Sequence, residues 1–135
     1  MLFRSEIAAD HIKNIPDNVK NLLEMKSLVD DAIDILNGNA PMADFGKLLH
    51  ETWLLKRSLS LAISTSFIDD AYNRAVQAGA EGGKILGAGG GGFLLMYVEP
   101  EKQAAVKAAL NDLLHVPFSF ELLGSQIIMY STIEY

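Results

Sequence analysis

The sequence predicts an α+β domain, with helices packed on one face of a small, mainly antiparallel four-stranded sheet, and three observations predict it. As far as Gly79, apolar residues recur at the three- and four-residue spacing of helices. Beyond Gly79 they gather into short runs separated by glycine or proline, the pattern of strands and turns. The resulting order, helices followed by β-β-α-β-β, makes sequential strands neighbours and leaves the helices to cover the sheet. At 135 residues, half of them hydrophobic, the chain has the material for one core and too little for two, so residues 1–135 are read as one domain.

Taken in order, Arg4 to Ile12 reads as the start of a short helix after an apolar Met1-Leu2-Phe3. Asp17, after Pro16, is the expected N-cap of the next helix. Its stripe is Val19, Leu22, Leu23, Leu28, Val29, Ala32, Ile33 and Leu36, and Gly38 is its stop. Pro41 suits the first turn of a further helix carrying Phe45, Leu48, Leu49, Thr52, Trp53, Leu55 and Leu59. Ser66, with Asp69 three residues on, is the expected cap of a third, whose Ile68, Ala71, Tyr72, Ala75 and Val76 face inward until Gly79. Ile85-Leu86 and Phe93 to Val98 read as strands. Pro100 opens a helix that is expected to run to Pro117, and Phe118 to Leu122 and Gln126 to Tyr130 read as a closing pair around Gly124-Ser125.

Composition narrows the function. The formal charge of -6 and a pI near 4.9 oppose non-specific attraction to nucleic acid or anionic membrane. With no cysteine there is no disulfide framework and no thiolate chemistry, and His11, His50 and His115 are scattered. No apolar run reaches the roughly 18 residues of a spanning helix and no signal-peptide pattern opens the chain, so a cytoplasmic location is expected. The mean hydropathy of +0.19 is high for an acidic domain and points to apolar surface that awaits a partner.

The most informative stretch is Gly82 to Tyr97, two apolar runs around a glycine cluster. A phosphate-binding P-loop needs a glycine five positions before Gly-Lys and a Ser or Thr after the lysine; Ala78 and Ile85 stand there. Gly87, Gly89 and Gly92 satisfy the dinucleotide spacing G-x-G-x-x-G, but that fingerprint opens a helix, and Phe93 to Val98 reads as strand. What remains is a loop whose backbone N–H groups can form an anion-binding nest. The competing explanation is a tight strand connection that only glycine allows.

The residues from Gly83 to Phe93, Gly-Lys-Ile-Leu-Gly-Ala-Gly-Gly-Gly-Gly-Phe, resemble the third conserved motif of the GHMP small-molecule kinases, in the branch of the D-glycero-D-manno-heptose phosphate kinases. The resemblance continues through Glu51 to Leu59, Ile63-Ser64, Ile68-Asp69, Phe118 to Glu121 and Gly124 to Ile128. It implies the C-terminal domain of such a kinase, ferredoxin-like in fold, with Gly87, Ala88, Gly89, Gly90 and Gly91 against the phosphates of ATP. It further implies that the N-terminal ATP-binding domain is the partner, that a sugar phosphate is the substrate, and that Mg2+ accompanies ATP in the complete enzyme. No Gly/Ser-rich ATP loop occurs in these residues, so the chain alone is expected to bind no cofactor tightly, to hold no catalytic residue or metal, and to be inactive. A missing partner domain predicts an exposed apolar face around the loop, hence self-association.

Three cations are candidate substrate contacts. Lys56 and Arg57 could meet the distal phosphate of a heptose, against the commoner role of a solvated helix face, and Lys84 could point to the phosphates or merely protect a strand edge. Trp53 and Tyr72 read as core. His50-Glu51, Asp30-Asp31 and Asp69-Asp70 are helix neighbours that diverge and ligate nothing together. The alternative to a kinase half is a stand-alone ferredoxin-like binding or assembly module that keeps the loop without the chemistry.

Overall fold

The computed structural model describes residues 6, 9, 12–87, 89–120 and 123–127. Among the described residues, four α-helices and a two-stranded antiparallel sheet follow in the order α1 (Ile15–Leu36), α2 (Met42–Ser58), α3 (Ser66–Gln77), β1 (Gly82–Leu86), β2 (Phe93–Tyr97), a 3-10 turn (Pro100–Lys102) and α4 (Gln103–Ala109). The α+β class is as expected from the sequence.

Each boundary has a local cause. α1 begins at Ile15, so Asp17 lies inside its first turn, where its carboxylate suits the positive end of the helix, and is not the N-cap. Pro16 is harmless there because first-turn amides have no helical acceptor. Gly38 ends α1 with φ at +82°, its amide donating to Ile35 O at 3.0 Å. α3 is capped by Thr65, not Ser66: Thr65 is extended (φ -129°), and its hydroxyl accepts from the Ile68 amide at 3.3 Å. Asp69 is therefore left for other partners.

α4 ends at Ala109, well before Pro117. The cause is long-range: the Arg74 guanidinium donates to the Ala109 carbonyl at 2.9 Å and forks onto both oxygens of Asp112, satisfying the helix end from α3. Within α4 Val106 is buried, and past its end Leu114 is exposed. The expected closing strands show no ladder among the described residues. Residues 118–120 and 123–127 are exposed, and Glu121, Leu122 and residues 128–130 lie outside the described residues, as do His11 and most of the first expected helix.

β1 and β2 pair from Gly82 opposite Tyr97 to Leu86 opposite Phe93. One core cluster joins Trp53, Ile63, Ile68, Tyr72 and Ile85, and a second joins Ala75, Ala80 and Val106; Met96 packs against both. Trp53 and Tyr72 are core, as their spacing predicts. α2 approaches β1 so closely that a Cβ on Gly82 would overlap the Gly46 carbonyl oxygen, and one on Gly46 would lie 2.6 Å from Glu81 Cβ and 2.8 Å from the Tyr97 ring. This backbone-on-backbone crossing fixes where α2 delivers its side chains.

Candidate functional site

The connection between β1 and β2, residues 87–92, lies beside the end of α2 and the Ser60 to Thr65 segment. Its shape needs glycine. Gly87, Gly89, Gly90 and Gly92 all have φ between +70° and +120°, which side-chain-bearing residues rarely adopt. Two anchors hold it. The Gly90 amide donates to the Ile63 carbonyl at 2.8 Å, and Gly89 lies so near Ile63 that an added Cβ would come within 2.8 Å of its Cα. On the opposite side the loop is open: a Cβ on Gly87 or Gly91 would meet no atom. Ala88 lies outside the described residues.

Lys56 is the second anchor. From the last turns of α2 its ammonium donates to the Ile85 carbonyl at 3.4 Å and to the Gly87 carbonyl. Ile85 belongs to β1 and Gly87 follows its last residue, so the lysine ties the end of the strand and the start of the loop to α2. Burial pushes the Lys56 ammonium below the usual lysine range, and the charge of nearby Lys84 pushes it the same way. Lys84, half-buried on β1, is lowered by burial alone. The structure thus brings Lys56, Lys84 and the loop together.

Arg57 is not part of that group. One residue further along α2 means about 100° around the helix, and its guanidinium reaches Asp69 at 2.8 Å and lies 5.8 Å above the Trp53 ring. The other Asp69 oxygen accepts from Ser64 at 2.6 Å. This chain of contacts ties α2 to α3 and steadies the segment that carries Ile63. Sequence reasoning assigned Ile63 no role; its carbonyl anchors the loop, and a backbone carbonyl leaves no signature in residue type.

Two neighbouring features complete the setting. Leu86 and Phe93, opposite each other at the base of the loop, are 44% and 62% exposed and make an apolar shoulder. His50 Nδ1 lies 2.6 Å from the Tyr72 hydroxyl, a core contact behind the strands, while Glu51 is exposed. Among the described residues no three His, Asp or Glu side chains converge, and no helix is long and apolar enough to cross a membrane. The arrangement offers open backbone and two half-buried cations. Such a place favours an anion with several oxygens.

Comparison with known proteins gives consistent matches. The family described as GHMP kinases C terminal matches residues 38–116. A D-glycero-alpha-D-manno-heptose 7-phosphate kinase of Campylobacter jejuni subsp. jejuni is 34% identical over 105 residues, covering 76% of this chain and 31% of that protein. A bifunctional fucokinase/GDP-fucose pyrophosphorylase of Arabidopsis thaliana is 29% identical over 90 residues, 66% of this chain and 8% of its own length. The crystal structure of L. major mevalonate kinase in complex with R-mevalonate shares the fold, with a TM-score of 0.70 at 17% identity over 83% of this chain and 35% of that one. The chain therefore spans less than a third of the length of these curated relatives.

Proposed function

The chain belongs to the GHMP kinases, as their C-terminal domain, and from that premise we propose that it forms one wall of the phosphate site of an ATP-dependent sugar phosphate kinase, with a heptose phosphate as the substrate. The observation that carries this reading is the glycine loop, anchored on one side by Ile63 and Lys56 and open on the other. The Gly90 amide already serves Ile63, so the loop meets the phosphates of ATP through the amides of Gly87, Gly89 and Gly91. Lys56 and Lys84 lie behind it and balance negative charge, the contribution that phosphoryl transfer most needs from a protein. Arg57, held by Asp69, supports the loop and leaves the sugar phosphate to other groups.

The remaining parts belong to an N-terminal half. It supplies the nucleotide's main binding loop, the acidic ligands of Mg2+ and the catalytic groups, and it covers the Leu86–Phe93 shoulder. The four-stranded sheet belongs to the same reading, with residues 118–122 and 126–130 as the closing pair. A cytoplasmic location suits an enzyme that uses ATP.

Titration of the chain with ATP, followed by amide NMR, tests the reading. Shifts confined to 87–92 and to Lys56 and Lys84, weak and without turnover of a heptose phosphate, are expected. Shifts spread elsewhere, or phosphorylation of the sugar by this chain alone, would contradict it.

A further inference from the structure

We propose that Lys84 is the residue of this chain that contacts a terminal phosphate, and that it shares with Lys56 one doubly charged phosphate monoester. The inference rests on the kinase reading and deepens it, dividing the ligand between the lysines and the glycine loop.

The two lysines depart from the way this fold places its other half-buried cations. Arg57, Arg74 and Lys102 each meet a carboxylate, Asp69 at 2.8 Å, Asp112 at 2.9 Å and Glu81 at 2.8 Å. Lys56 and Lys84 are half-buried too, yet among the described residues neither has a carboxylate within ion-pair distance, although the chain carries 17 Asp and Glu. Lys56 is held by two backbone carbonyls. Lys84 has neither a hydrogen bond nor an ion pair among the described residues. An ammonium drawn partly out of water without a counter-ion is costly, and a second ammonium close by adds repulsion, which Lys56 registers from Lys84. An anion between them removes both costs.

Charge selects the anion. Lys84 precedes Ile85, whose carbonyl Lys56 binds, and Gly87, the other carbonyl on Lys56, begins the loop, so the two cations stand where β1 runs into the glycines. A phosphate monoester carries about 1.5 to 2 negative charges at neutral pH and three free oxygens. A phosphodiester, as inside a polyphosphate, carries less charge and fewer free oxygens. Two ammoniums match the first, and the neutral amides of Gly87, Gly89 and Gly91 suit the second. Lys84 brings all three of its hydrogens to the monoester, and Lys56 the one that its two carbonyls leave over. The terminal phosphate of ATP and the phosphate of a sugar phosphate share this chemistry, and the experiment separates them.

The chain is titrated with ATP, with a hexose 6-phosphate and with NAD+, whose two phosphates are both diesters, while backbone amides and lysine side chains are followed by NMR. The monoesters should move the Lys84 and Lys56 signals, the tighter of the two identifying the source, and NAD+ should leave both lysines where they are. Lys84→Met should weaken that monoester about tenfold or more, the worth of one charge-assisted hydrogen bond, and Lys84→Arg should restore most of the loss. Because it removes an unpaired charge, Lys84→Met should also raise the thermal midpoint of the free chain. Monoester binding by Lys84→Met equal to wild type, lysines that answer NAD+ as they answer ATP, or a lowered midpoint would overturn the proposal and leave the kinase reading in place if the amides of 87–92 still respond to ATP. Loop amides that ignore ATP in the wild type would overturn both.

Discussion

Lys56 commits two of its three ammonium hydrogens to the carbonyls of Ile85 and Gly87, which leaves one for a ligand. Burial and Lys84 hold it below the ordinary 10.5, so the fold disfavours its charged form. That penalty applies below the lowered value and disappears as pH rises toward 10.5, above which folded and unfolded chains are both neutral there. A bound phosphate acts in the opposite sense, because its charge restores the ammonium. NMR titration of the lysine side chains should therefore find Lys56 and Lys84 below 10.5, with ATP raising both. Values indifferent to nucleotide would remove the two lysines from the phosphate site. At this scale the sequence was only partly legible. The motif pointed to the loop glycines and to the nearby cations, but it could not separate Lys56 from Arg57, since that distinction is an angle around α2 and a choice of partner on α3. Nor could it show that the Gly90 amide was already engaged.

The elements were legible in kind and less so at their ends. Periodicity placed α1, α2, α3, β1 and β2, because each carries its own apolar pattern. The end of α4 was not readable, since it depends on Arg74 reaching across from α3 to Ala109 and Asp112. The crossing of α2 and β1 was equally hidden, because a glycine required by a helix looks the same in sequence as one required by a turn. Gly82→Ala tests that crossing. Its methyl has nowhere to go but into the Gly46 carbonyl, so α2 must shift, and a loss of about 2 to 3 kcal/mol in chemical denaturation is expected from overpacking. A change below about 0.5 kcal/mol, typical of tolerant surface sites, would mean that α2 is free to slide. Displacing α2 also displaces Lys56, so the same variant should weaken the loop's response to ATP.

For the molecule as a whole, the order of periodicities was enough to give the α+β class, and one long glycine motif was enough to give the family. What composition could not supply is the distribution of apolar surface. Among the described residues the exposed apolar side chains include the Leu86–Phe93 shoulder by the loop and, on α1, Val19, Val29 and Ile33. The first was anticipated as an interdomain face. The second was not, because every apolar residue at helical spacing was assigned inward, and a helix with apolar residues on two sides looks in sequence like one with a broad buried side. The meeting of Gly46 and Gly82 also has a consequence in time. With the carbonyl of one backbone against the α-carbon of the other, α2 cannot lift from β1 by side-chain rearrangement alone; the two must open together. Hydrogen–deuterium exchange should show the amides of β1 and those in the middle of α2 exchanging at a common rate, slower than α1, and Gly82→Ala should speed both by the same factor.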